Sequence, residues 1–120
     1  FLFARSGAST GKCAIVQEKT NAVFGSFIIK FQFTEKLNPE FFFYFMQLPQ
    51  VQQTLTNSGH GSGQPNINAK NIKDLDVILP PINLQEKFLQ IADVINSISE
   101  IRELSESNKL VKSITQELLT

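Results

Sequence analysis

The stretch "NLQEKFLQIADVINSISEIRELSESNKLVKSITQELLT", residues 83–120, decides the fold class. Leu84, Phe88, Ile91, Ile95 and Ile98 step by four, three, four and three residues, the spacing of a coiled-coil seam. The strict repeat would next fall on Arg102 and fails there. A shifted register takes over at Ile101, Leu104, Asn108, Val111, Ile114 or Thr115, and Leu118; a three-residue step of this kind is a stammer. Asn83 followed three residues later by Glu86 is a capping-box pattern. The spacing therefore predicts one helix from Asn83 onward. At ~1.5 Å per residue it extends about 55 Å, longer than a lobe of ~80 residues is wide. Its apolar stripe (Leu84, Phe88, Ile91, Ile95, Ile98, Ile101, Leu104, Val111 and Leu118) needs a second helix, from another part of a longer protein or from another copy.

Upstream the periodicity changes. Phe1-Leu2-Phe3-Ala4 reads as a strand end and Cys13-Ala14-Ile15-Val16 as a second strand. Residues 23–33 are β-branched and aromatic, which predicts one or two more. Asn38-Pro39-Glu40 is a helix start: Asn accepts from an orphan N–H, Pro suits the first helical position, and Glu suits the positive end of the dipole. Phe41, Tyr44, Phe45 and Leu48 fall on one face of that helix, which is expected to dock on the sheet as core. Pro49 should kink or restart it, and Val51 and Leu55 continue an apolar face until Asn57-Ser58-Gly59 stops it. Asn68 is placed to cap a short helix over residues 69–75. Asp76-Val77-Ile78-Leu79 reads as a last strand closed by Pro80-Pro81. The expected fold is α+β: a small curled β-sheet lobe with packed helices over residues 1–82, then one long coiled-coil-type helix over 83–120.

The composition of the 120 residues is globular, 42% apolar and 18% charged with eleven Phe, so a real core is expected. The longest uncharged apolar run, residues 41–46, is far too short for a bilayer span. Cys13 has no second cysteine to pair with, and one Cys with one His makes no structural zinc site, so a reducing, cytoplasmic setting is expected and no metal or other cofactor. The chain opens on Phe1 inside an apolar run, as expected of a piece of a longer protein. Net charge is zero, which argues against a simple polycation, but residues 1–36 carry five Lys and Arg against two acids.

Two polar, glycine-rich loops carry what chemistry there is. The first, Arg5-Ser6-Gly7-Ala8-Ser9-Thr10-Gly11-Lys12, has three residues between its glycines, Cys13 after the lysine, and a strand where a P-loop needs a helix, so nucleotide hydrolysis is rejected. Arg5, Ser6, Ser9, Thr10 and Lys12 suit phosphate contacts, and Arg5 or Lys12 has the reach for a guanine edge; a plain solvated hairpin loop has the same composition. The second loop offers His60, Ser62, Gln64, Asn66 and Asn68, with Lys70 at its flank. Its amides are of the type that read adenine, and are equally ordinary loop chemistry. His60 has no paired Ser, Cys or carboxylate, so no catalytic residue is expected there. Asn38-Pro39-Glu40-Phe41 brushes against the Asn-Pro-Pro-aromatic motif of amino-methyltransferases, but the second proline is missing and the stretch caps a helix.

The order of segments is more specific than any one of them. "FARSGASTGKCAIV", "LNPEFFFYFMQ", "GSGQPNINAKNIKDLDVILPPINLQEKF" and a long helix ending "QELLT" together resemble the specificity subunits of type I restriction–modification systems, over nearly the whole chain. That resemblance implies a non-catalytic target-recognition domain that reads half of a split DNA sequence, joined to a spacer helix. The implied partners are double-stranded DNA, methyltransferase and restriction subunits, and a second spacer helix. It implies that Arg5 to Lys12 and Gly61 to Asn68 lie at one DNA-facing surface, and that Pro80-Pro81 and Leu84-Gln85 form the junction into the helix. It also implies that the N-terminal half of the recognition domain lies outside this chain. The other reading of the residues is a helix-mediated interaction or oligomerisation module whose loops are inert.

Overall fold

A computed structural model describes residues 1–58 and 66–118, with side chains through Glu117. The fold is α+β, as expected. Three short strands, β1 (Leu2–Ala4), β2 (Cys13–Ala14) and β3 (Ile28–Lys30), form an antiparallel sheet in the order β2-β1-β3. Leu2 and Phe3 lie opposite Ala14 and Cys13 on one side, and Leu2, Phe3 and Ala4 lie opposite Lys30, Ile29 and Ile28 on the other. Alternation along a strand sends Phe1 and Phe3 to the helical side of the sheet, with Ile29, Phe31 and Phe33 beside them.

The sheet is smaller than the sequence suggests. Residues 15–16 and 23–26 do not extend β2 and β3: Val23 is fully exposed, and past one further bond, from the Arg5 N–H to the Phe27 carbonyl (2.9 Å), a turn closed by the Ile28 N–H on the Gly25 carbonyl (3.1 Å) leads the chain away. Residues 76–79 are not a strand either. They keep an inward and outward alternation, with Val77 on the core and Ile78 70% exposed, but no sheet edge pairs with them. β propensity describes a side chain that suits a pleated surface; it does not supply the neighbour.

Helix α1 (Pro39–Met46) starts as expected, with the Asn38 Oδ1 accepting from the N–H groups of Glu40 (2.8 Å) and Phe41 (3.4 Å). The docking face differs from the expected one. Phe42, Phe45 and Met46 are buried, Phe41 and Tyr44 are half-buried, and Leu48 is exposed. Five consecutive aromatics offer more than one i, i+3, i+4 stripe, and the chain leaves the helix at Gln47, which strands Leu48 outside it. Pro49 restarts the chain as α2 (Pro49–Ser58), whose Val51 and Leu55 complete the face. The core joins Phe3, Phe42, Phe45, Met46, Val51, Leu55, Ile67 and Ile72. Phe1, Phe33 and Phe42 form a triangle with ring centroids 5.1–5.5 Å apart. Short helix α3 (Ala69–Lys73) is capped by Asn68.

The long helix α4 (Ile82–Leu118) begins one residue before the expected start. The Pro81 carbonyl accepts from Leu84 (2.9 Å) and Gln85 (3.2 Å), so Asn83 sits inside the first turn and is not the cap. The fixed φ of Pro81 delivers the chain to the helix without a capping side chain. The chain divides into two compact units, Phe1–Glu86 and Lys87–Thr120. In the second, Ile91, Ile95, Ile98, Ile101, Leu104 and Val111 are all more than half exposed, an apolar stripe interrupted at Asn108. Among the described residues, no helix is long and apolar enough to cross a membrane.

Candidate nucleic-acid interface

The first loop is built from two interlocked turns. The Thr10 N–H and hydroxyl both donate to the Gly7 carbonyl (3.2 and 2.6 Å), and the Lys12 N–H donates to the Ser9 carbonyl (3.0 Å). Gly11 and Lys12 return to β1 through the Gly11 N–H on the Ala4 carbonyl and the Ala4 N–H on the Lys12 carbonyl, both 2.9 Å. These turns need left-handed backbone at Gly7 (φ 83°) and Gly11 (φ 90°). Gly11 has a second reason to be glycine: an added Cβ would stand 2.6 Å from the Gln52 Oε1. The Gln52 Nε2 donates to the Gly11 carbonyl (3.2 Å) and the Met46 carbonyl (2.6 Å), fastening the loop to the α1–α2 corner. Ser9 and Lys12 are left exposed, while Arg5, Ser6 and Thr10 are half-buried. The Thr10 hydroxyl proton is held inside the loop, so this side chain shapes the turn in the structure.

Among the described residues, the second loop meets the first at Asn66 and Ile67. Ser6 and Asn66 form an antiparallel bridge, the Ile67 N–H donates to the Arg5 carbonyl (2.9 Å), and the Arg5 Nη2 donates to the Asn66 Oδ1 (3.0 Å). Ile67, 1% exposed, pins the junction to the core. With its oxygen on Arg5, Asn66 keeps only its amide N–H groups for an outside acceptor, and is better suited to orienting the guanidinium than to the two-point adenine contact. Asn68 is engaged in a capping box, its Oδ1 accepting from the Asn71 N–H and its N–H donating to the Asn71 Oδ1, both 2.9 Å. Lys70 is exposed and paired with Asp74 (2.7 Å); that hydrogen bond first, and the carboxylate charge second, raise its pKa. His60, Ser62 and Gln64 lie outside the described residues. Of the expected contacts, the structure brings together Arg5, Ser6 and Asn66, leaves Ser9, Lys12 and Lys70 in solvent, and gives Asn68 a local task.

Two glutamines matter more than the sequence reading indicates. Gln52 anchors the glycine loop. Gln85, with no exposed surface, accepts from the Asn38 N–H (2.8 Å) and donates to the carbonyls of Lys36 (2.9 Å) and Pro80 (2.8 Å). Resemblance places Gln85 at the junction, but nothing in its local pattern shows that it closes three backbone groups, two of them nearly fifty residues away. Burial pushes the Cys13 thiol up to about 11, which disfavours the thiolate a nucleophile needs. Among the described residues, no group of three His, Cys, Asp or Glu is arranged to hold a metal ion.

The family described as "Type I restriction modification DNA specificity domain" matches residues 1–112. A curated relative, the type I restriction enzyme EcoKI specificity subunit of Escherichia coli (strain K12), is 26% identical over 126 aligned residues, covering 98% of this chain and 27% of that protein. The chain thus spans about a quarter of the length of that relative. No solved structure matches it.

Proposed function

This chain belongs to the type I restriction modification DNA specificity domain family, and we propose that the joined loops of residues 5–12 and 60–70 are its DNA-facing surface. The observation that supports this most is the Arg5–Asn66 pair, 61 residues apart in sequence, which gathers both loops at the end of β1. In this reading Lys12 and Ser9 anchor phosphates, Arg5 reads a base edge while Asn66 orients it, and His60, Ser62 and Gln64 extend the same surface. Residues 1–82 act as part of a target-recognition domain and 83–120 as a spacer. The module itself is non-catalytic and directs methyltransferase and endonuclease subunits to a split target. In the intact subunit, K12A weakens binding to all duplexes alike and lowers the slope of log K against log salt by about 0.9, the share of one phosphate contact. R5A instead relaxes preference at one position. Unchanged affinity and slope in K12A would sink the phosphate assignment.

The apolar stripe of α4, exposed from Ile91 to Val111, supports a complementary role. Leu84, Phe88, Ile91, Ile95, Ile98, Ile101, Leu104, Val111 and Leu118 follow coiled-coil spacing, and we assign them to pairing with a second helix, from the same full-length subunit or from another copy. If the loops prove inert, this pairing is the function that remains.

A further inference from the structure

We infer that Phe27, beside Arg5 and Asn66, is a specificity-determining residue whose ring meets the C5-methyl group of a thymine next to the base that Arg5 reads. This rests on the DNA-facing surface proposed above. The placement follows from strand register. β1 and β3 pair Leu2 with Lys30, Phe3 with Ile29 and Ala4 with Ile28, so the next opposed pair is Arg5 with Phe27. The Arg5 N–H donates to the Phe27 carbonyl at 2.9 Å, which carries the ladder one residue past β3. Opposed residues of an antiparallel pair project from the same face. Phe3 and Ile29 share that face and pack on the helical core; two residues further on the core has ended, Arg5 is half-buried and Phe27 is 65% exposed.

The reciprocal hydrogen bond of this pair is not made. In a regular ladder the Phe27 N–H would donate to the Arg5 carbonyl, but the Ile67 N–H occupies that carbonyl. The second loop therefore enters at the position where β3 leaves off. It brings the Asn66 amide onto the Arg5 guanidinium, with the ring on the opposite strand. Backbone pairing thus sets a residue with an exposed aromatic side chain opposite the cation that the amide holds. The neighbouring Phe3 shows that the same face buries its side chains where a core exists, whereas the Phe27 ring is left 65% exposed.

The chemistry selects the partner. Arg fixed by a second side chain suits the O6 and N7 acceptors of guanine in the major groove. In that groove the apolar feature of a base pair is the thymine methyl, and an aromatic ring is among the side chains that meet it. The ring emerges from paired backbone beside Arg5, so it travels into the groove with the guanidinium.

The test uses the full-length subunit assembled with its modification subunits, and a target duplex selected from a random library. Each thymine of that duplex is replaced in turn by deoxyuridine, which removes the methyl and keeps the base pair. The expected result is a loss of about fourfold at one thymine for the wild type, the worth of one buried methyl-sized group. F27A binds the unmodified duplex about fourfold more weakly and no longer responds at that thymine, while F27L keeps the response. A wild type indifferent to every replacement, or F27A with wild-type affinity, overturns the inference. So does F27A that binds weakly but keeps every deoxyuridine effect, as a ring wedged between bases would. If binding retains its Lys12-dependent salt slope in any of these cases, the inference about Phe27 fails alone; if no duplex binds at all, the DNA-facing reading fails with it.

Discussion

Removing the Gln85 side chain should unfasten the lobe. The side chain is fully buried and makes three hydrogen bonds, one accepted from Asn38 and two donated to Lys36 and Pro80. In Q85A those three backbone groups lose their partner. A buried polar group left unsatisfied costs ~1–3 kcal/mol. Lys36 is exposed and Pro80 half-buried, so water can reach part of the site and the lower end applies to each, giving a loss of roughly 3 kcal/mol. Against a total stability of ~5–15 kcal/mol that is a large fraction. At ~4–8 °C per kcal/mol for a small domain, the melting temperature should fall by ten degrees or more. The chain has no Trp and one Tyr, and Tyr44 lies on α1, so its fluorescence follows the lobe while far-UV circular dichroism is dominated by α4. Urea titration of Tyr44 fluorescence measures the loss directly. Q85L should also be destabilised, because Leu fills the space and satisfies none of the three groups. Q85E adds a check of sign. The ionised side chain accepts from Asn38 but repels the two carbonyls, whereas the protonated acid can donate to one of them. Burial and the two carbonyls favour the protonated form in the folded state, so the stability of this variant should fall as pH rises from acid to neutral. A Q85A loss under about 1 kcal/mol, or Q85L as stable as the wild type, would refute the reasoning, since either means the bonds contribute little net.

The two loop glycines should respond unequally. G7A meets open space and carries only left-handed backbone strain, about 1 kcal/mol, while G11A adds a collision with Gln52 and should cost about 2 kcal/mol or more; Q52A should recover part of the G11A loss and none of the G7A loss, read by the same urea titration. Cys13 should alkylate slowly at pH 8, with its rate rising toward about pH 11 in the folded chain. Because its folded pKa is raised, the contribution of the protonated thiol to stability is complete below the ordinary value of 9.0 and declines as pH rises from there toward about 11; a normal alkylation profile would contradict its burial. I91D combined with I98D should convert a helix-paired form into monomers by sedimentation, and a chain that is monomeric at high concentration before mutation counts against self-pairing of α4.

Local signals in the sequence carried over into structure where the chemistry is local. Asn38-Pro39-Glu40 starts a helix, Pro49 restarts one and Asn68 caps one, because the atoms involved lie within three or four residues of each other. One local signal fails, because α4 opens on the Pro81 carbonyl and leaves Asn83 inside the first turn; the other failures occur where a partner is needed. Residues 23–27 and 76–79 have strand composition, but only the ladder decides whether a strand exists, and its last backbone hydrogen bond on this side is from the Arg5 N–H to the Phe27 carbonyl. The buried face of α1 could not be chosen from "FFFYF" alone, since the choice depends on what Phe1, Phe3 and Phe33 present to it. The candidate site shows the same dependence more sharply. Each loop alone is ordinary: glycines, hydroxyls, a few amides and cations. What distinguishes them is that Arg5 uses its N–H for Phe27, its carbonyl for Ile67 and its guanidinium for Asn66, so one residue ties a strand end to two other segments. On the proposed DNA-facing reading, selectivity depends on this junction as well as on the loops it joins, and substitutions that separate Asn66 from Arg5 should disturb it even where the overall charge of the surface is unchanged.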